Sequence, residues 1–170
     1  MTAAVPSSPL DPRDYRHAVG RFGTGVTVVG TVHDDVCYGM TVNSFTSLSL
    51  DPLLVLFCCE RDASLQQPLL ASGIWGVTVL SAAQQDEAEW FATRGVPGAD
   101  QFTGRAATRG RVTGAPLLRD GLAWLECRTW ATYDGGDHTI VVGEVVDLAL
   151  GSDESPLLYW RSAYRSVGPD

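Results

Sequence analysis

The chain has 170 residues, 45% of them hydrophobic and 19% charged, with a formal net charge of −8. That length and composition suit one globular domain with a buried core and exclude a disordered chain. The acidity argues against non-specific nucleic-acid binding, which needs a basic patch to release counterions. All the fixed basic charge is arginine, so neither a phosphate-loop lysine nor a Schiff-base lysine is available.

The opening segment "MTAAVPSSPLDPRDYR" has no basic stretch followed by an apolar one, so it does not read as a signal peptide. No apolar run approaches the ~20 residues that a membrane span needs. A soluble, cytoplasmic protein is expected. Residues 1–11 are rich in Pro and Ser and read as a flexible arm, with a single domain over 12–168. "DPRDYRHAVGRF" then reads as a short helix, with Asp11 as cap and Pro12 at the first helical position. "TGVTVVGTV" (24–32) is β-branched and strand-like, "HDD" turns, and "VCYGMTV" (36–42) returns as a second strand.

Next comes "GMTVNSFTSLSLDP" (39–52), which crowds hydroxyls and the chain's one asparagine, Asn43, between apolar runs and contains no basic residue. It reads as a loop at a sheet rim. "LLVLFCC" (53–59) is apolar without alternation, which predicts a strand buried on both faces. "ASLQQPLLAS" (63–72) predicts a short helix that Pro68 either breaks or restarts, ended by Gly73. "IWGVTVL" (74–80) is a further strand. "SAAQQDEAEWFATRG" is the clearest helix, with Ser81 and Gln84 as a capping box and Arg94–Gly95 at its end.

The Gly-rich segment 95–115 reads as irregular, anchored by Phe102. "LAWLECRTWATY" (122–133) and "HTIVVGEVVDLAL" (138–150) predict long strands joined by a "DGGD" hairpin turn, and "PLLYWR" (156–161) a last strand. Cys37, Cys58, Cys59 and Cys127 form no C-x-x-C pair and no zinc-site spacing, and read as reduced thiols. Sequential strands with few helices predict a mainly β, antiparallel barrel with peripheral helices. The dinucleotide fingerprint G-x-G-x-x-G is absent, so a nucleotide would not bind through a Rossmann unit.

Three segments could carry function. Thr41, Asn43, Ser44, Thr46, Ser47 and Ser49 offer neutral donors and acceptors, suited to a polar heterocycle with a ribityl chain and phosphate, or to a loop that bonds its own backbone. No G-x-S-x-G elbow surrounds these serines. "YDGGDHTIVVGEV" places His138 directly after a tight turn, where a histidine is either a surface residue or a functional one. The tail "LYWRSAYRSVG" mixes aromatic and cationic groups, which fits an interface, a cover over a planar ligand, or a docked terminus.

"FGTGVTVV", "GMTVNSFTSLSLDPLLVLFC", "GDHTIVVGEV" and "YWRSAYR" occur in the order seen in the flavin reductase-like family, the short-chain NAD(P)H:flavin oxidoreductases of two-component monooxygenases. The resemblance spans about residues 14–167. It implies a split β-barrel resembling FMN-binding proteins, a homodimer, FMN or FAD as flavin, NADH or NADPH as hydride donor, and a partner monooxygenase that receives the reduced flavin. The alternative is a non-catalytic flavin-binding or electron-carrier protein on the same barrel. By position, the resemblance implies flavin contacts at Thr41, Asn43, Ser44, Ser47, Ser49 and Leu50, then Cys59, Glu60 and Ser64, with Arg61 offsetting phosphate charge. His138 falls on the histidine of the Gly-Asp-His motif, so it is the candidate catalytic and nicotinamide-binding residue. Phe102 and Tyr164 would flank a ring, and Arg105, Arg109 and Arg111 are candidates for a 2′-phosphate. Ser162–Ala163 depart from the family's usual Arg-Gly-Arg-Tyr type of tail.

Overall fold

The computed structural model describes residues 10–93 and 100–167. Most of the expected arm, the Arg94–Gly95 helix end and residue 168 lie outside them. Helix α1 (Pro12–Val19) starts where Asp11 accepts a hydrogen bond from the Arg13 amide at 2.8 Å. Twelve strands follow: β1 (Thr24–Gly25), β2 (Thr27–His33), β3 (Val36–Val42), β4 (Thr46–Leu50), β5 (Leu53–Glu60), β6 (Ile74–Val79), β7 (Ala107–Arg109), β8 (Pro116–Leu118), β9 (Ala123–Gly135), β10 (His138–Leu150), β11 (Leu157–Trp160) and β12 (Ala163–Ser166). Helix α2 (Gln66–Ser72) lies between β5 and β6, and a 3-10 turn (Ala82–Gln84) leads into α3 (Gln85–Ala92) between β6 and β7.

Seven strands form one antiparallel sheet in the order β3-β2-β6-β9-β10-β5-β4. Its edges, β3 and β4, are consecutive in the chain and joined only by residues 43–45. Laid flat, seven strands would hold their edges about 29 Å apart. The four Cα steps from Val42 to Thr46 reach at most ~15 Å. The sheet must therefore curl until its edges face each other. The result is a barrel split between β3 and β4, with Asn43 at the split. Short sheets β1-β11-β12 and β7-β8 lie beside it.

Alternation along the strands separates two cores. Val29, Val42, Val55, Phe57, Cys59, Trp75, Val77, Cys127 and Val141 pack inside the barrel with Leu65 and Leu69. Val28 and Cys37, facing the other way, pack with Val26, Leu80, Ala88, Phe91, Phe102, Leu118 and Leu157. Trp75 meets Phe57 edge-on at 5.1 Å. β10 bulges at Val142/Gly143, where a Cβ on Gly143 would run into the Trp75 ring.

Several elements follow their patterns: 36–42 and 138–150 are strands, Gly73 ends α2 with a φ of +65°, and the Ser81–Gln84 box forms. Four differences are informative. Run 24–32 divides at Val26, whose amide bonds Leu157 O and whose carbonyl accepts from Leu80 N, so the chain leaves the small sheet there for the large one. Residues 46–50 are a strand and not a rim loop, because β4 pairs with β5 through a hairpin whose Asp51–Pro52 bond is cis. β5 is buried on one face only. Val55, Phe57 and Cys59 point inward, while Leu54, Leu56 and Cys58 are half-buried on the outside. Segment 95–115 contributes β7, and the tail forms a β11–β12 hairpin turning at Arg161 and Ser162, both at positive φ.

Candidate functional site

Gly39 sets the approach of α3 to β3. A Cβ there would stand 2.6 Å from the Phe91 ring, so only glycine lets the helix come so close. One turn away, the Thr41 hydroxyl donates to the Ala88 carbonyl at 2.6 Å and fixes the helix along the strand. The seam opens into a cleft of about 430 Å³ whose walls include Gly39, Thr41, Glu60, Ser64, Ala92 and Gln101. A second recess of about 210 Å³ lies between Val26, Thr41, Asn43, Ala92, Tyr159 and Tyr164. Thr41 and Ala92 belong to both, so the recesses meet there.

β3 is an edge strand, and its outward backbone groups face this seam. Buried Gln101 satisfies the upper part: its side-chain oxygen accepts from Gly39 N at 2.8 Å, and its backbone N–H donates to Cys37 O at 3.0 Å. Antiparallel pairing alternates, so Thr41, two residues on, also turns its N–H and C=O away from β2. Because the Thr41 hydroxyl proton goes to Ala88, the oxygen has acceptor capacity left over. The exposed Asn43 amide makes no hydrogen bond to another described residue. Burial and the neighbouring Tyr159 and Glu89 raise the Tyr164 phenol above its ordinary value, and the ring lies 5.4 Å from Tyr159.

The structure thus brings Thr41, Asn43, Glu60, Ser64 and Tyr164 together. Ser44 is half-buried, and its hydroxyl accepts from Cys58 N at 2.9 Å, bracing the split. Ser47, Ser49 and Leu50 stand apart on β4, where Ser49 accepts from the Asp51 amide. Two expectations need correcting. Cys59 is fully buried with its side chain in the barrel core, because its strand parity points it inward, and its thiol lines neither recess. Phe102 is a core ring 4.7 Å from Phe91 and flanks neither recess.

His138 opens β10 directly across from Glu60, one strand beyond the cleft wall. It is half-buried, and its Nδ1 lies 2.7 Å from Asp137, whose carboxyl is held below the usual range chiefly by that hydrogen bond. Arg61 is committed to the β9–β10 turn rather than to the cleft: it donates to Gly136 O at 2.8 Å and to Asp134 at 2.7 Å. Arg105 covers the Trp90 ring, Arg109 donates to Gly114 O, and Arg111 pairs with Asp147; none lines either recess. The thiols are unpaired, and burial pushes Cys37 up to about 11 and Cys59 and Cys127 up to about 12. Among the described residues no three acidic, His or Cys side chains cluster to hold a metal. No helix there is long and apolar enough to cross a membrane.

Gln101 and Ala92 were not singled out by the sequence as site residues, whereas Tyr159 belongs to the aromatic tail read there as an interface, a ligand cover or a docked terminus. Gln101 and Ala92 carry no motif, and they reach the cleft only because α3 and the segment after it fold back over β3.

The sequence profile described as "Flavin reductase like domain" matches residues 19–168. The NADH-dependent FAD reductase of Streptomyces globisporus is 42% identical over 171 residues, covering 98% of this chain and 93% of that protein. The reductase subunit HsaB of a flavin-dependent monooxygenase from Rhodococcus jostii is 38% identical over 167 residues, covering 98% and 84%. A solved structure of a Streptomyces globisporus NADH:FAD oxidoreductase, in complex with NAD and FAD fragments, superimposes with a TM-score of 0.87 at 40% identity, covering 96% of this chain and 99% of that one.

Proposed function

Because the chain belongs to the flavin reductase-like domain family, we propose that it transfers a hydride from NADH to a flavin, FAD foremost, and supplies the reduced flavin to a separate monooxygenase. The single observation that carries this reading is the pair of recesses meeting at Thr41, with the Thr41 and Asn43 donors and acceptors at the junction and two tyrosines on one side. That donor set fits a flavin: backbone N–H and C=O, a threonine oxygen and a primary amide match a planar heterocycle with many acceptors. Residues 12–168 act as one domain.

When bound, the flavin and the nicotinamide supply the redox chemistry, a hydride passing from nicotinamide C4 to flavin N5. The chain's own residues hold and orient. The Thr41 N–H and the Asn43 amide donate to a ring edge, which matters where negative charge builds up. Ser64 and Glu60 form the opposite wall. Tyr164 keeps its phenolic proton, since burial raises its pKa, and would cover the recess with Tyr159. The exposed Ser47 and half-buried Ser49 of β4 would extend the neutral surface beyond Asn43 for a ribityl or phosphate group. His138 binds the nicotinamide from across Glu60.

NADH is preferred to NADPH. Among the described residues the cleft wall carries Glu60 and Asp62 and no basic residue, so a 2′-phosphate meets negative charge there. The working unit is a homodimer, argued at the scale of the whole molecule below. A cytoplasmic setting accords with four unpaired cysteines.

The test is anaerobic: purified protein in catalytic amount, excess NADH and FAD, and the visible flavin band followed with time. Bleaching that depends on the protein is expected, faster with NADH than with NADPH. No bleaching with FAD, FMN or riboflavin and either nicotinamide overturns the proposal.

A further inference from the structure

Arg61 is flanked in sequence by the wall residues Glu60 and Asp62. Its bonds nevertheless all run to the turn between β9 and β10. Its amide extends the β5–β10 ladder one step, donating to Asp137 O at 3.0 Å. Its Nε donates to Gly136 O at 2.8 Å, and its Nη2 to Asp134 Oδ1 at 2.7 Å. The same Asp134 oxygen accepts the Gly136 amide at 3.0 Å. Gly136 needs this support, since the chain reverses there at a φ of +79°. The next two residues are Asp137 and His138, in contact with each other at 2.7 Å.

We propose that Arg61 is a positioning residue for His138: it clamps the Asp134–Asp137 turn so that the imidazole is held at the cleft wall opposite Glu60. Three donors of one residue, gripping Asp134, Gly136 and Asp137, leave that turn little freedom to slide or twist. His138 pairs with Glu60 on one side and Gly135 on the other, and the Asp137 carboxylate that contacts its ring is carried on this turn, so what holds the turn also holds the ring's direction. The guanidinium spends two of its five donors this way. An arginine recruited to a phosphate would instead have to leave Asp134.

The inference rests on the reading that His138 meets the nicotinamide, and the experiment separates the two. Steady-state kinetics are measured for Arg61→Ala, His138→Ala and the double variant, with NADH varied against FAD, FMN and riboflavin. Arg61→Ala is expected to raise the KM for NADH about 3- to 10-fold and leave the KM of all three flavins unchanged. In the His138→Ala background, Arg61→Ala should add nothing, because its effect acts through the imidazole. Asp134→Ala, which removes the other half of the clamp, should shift the KM for NADH in the same direction. The inference is overturned if Arg61→Ala weakens FAD and FMN but spares riboflavin, which marks a phosphate contact. It is also overturned if the two penalties multiply in the double variant. A wild-type KM for NADH in His138→Ala removes the nicotinamide reading and the inference with it, whatever the Arg61 variants do.

Discussion

Thr41 and Asn43 stand two residues apart and carry different loads. The Thr41 hydroxyl serves the fold as well as the site, because Ala88 O is half-enclosed and has that proton as partner. Thr41→Val should cost about 1–2 kcal/mol of stability and also weaken flavin binding. Asn43→Ala should weaken flavin binding alone, with stability within about 0.5 kcal/mol of wild type, since its amide holds nothing else in place. Denaturant melts paired with flavin titrations check both, and unchanged flavin affinity in Asn43→Ala would return residues 43–50 to a purely structural role. The thiols give a pH expectation. Burial raises Cys37, Cys59 and Cys127 in the folded state, while the unfolded chain ionises near the usual ~8.5. The unfolded state then holds fewer protons, so stability should fall as pH climbs above that value. At pH 8 no more than one thiol should react with a thiol reagent until the protein is denatured.

At the scale of elements, the α3–β3 seam defines the site, and Gly39 defines the seam. Gly39→Ala forces the Phe91 ring aside and should cost about 1–3 kcal/mol while raising the flavin KM. A melting temperature and flavin KM both equal to wild type would contradict this. The long strands 36–42 and 138–150 were legible because their β-branched runs and bounding turns are local signals. β4 was not, because serine and threonine alternating with leucine fit an edge strand as well as a loop, and pairing with β5 decided the matter. β5 misled in the other sense: its run is apolar on both faces, yet its own chain covers only one. The candidate site was half legible. Thr41, Asn43, Glu60, Ser64 and Tyr164 line the two recesses, whereas Cys59 and Phe102 point into the core, and no local sequence signal reports which way α3 and its trailing segment fold.

At the scale of the whole molecule, two apolar surfaces stand exposed among the described residues. Helix α1 buries no residue, although Tyr15, Val19 and the following Phe22 are apolar and exposed. Eight residues are too few for a stable isolated helix in water, so α1 calls for a neighbour. The outer face of the β4–β5 hairpin adds exposed Leu48, Leu50 and Leu53 to half-buried Leu54 and Leu56. Patches of this kind mark interfaces, and a second copy of the chain is the occupant we propose. Sedimentation should show a dimer that Leu50→Arg with Leu53→Arg drives to monomer without loss of strand signal; a wild-type monomer would contradict it. The central claim is that hydride transfer takes place where the two recesses meet. Ala92 stands at that junction, exposed and outside both cores, so Ala92→Trp fills the recess without disturbing the barrel. The most direct measurement is the anaerobic rate of flavin reduction by NADH in that variant, with its circular dichroism matched to wild type. A fall of at least about 10-fold, some 1.4 kcal/mol of transition-state binding, is the predicted result. A wild-type rate in the folded variant would place the reaction elsewhere.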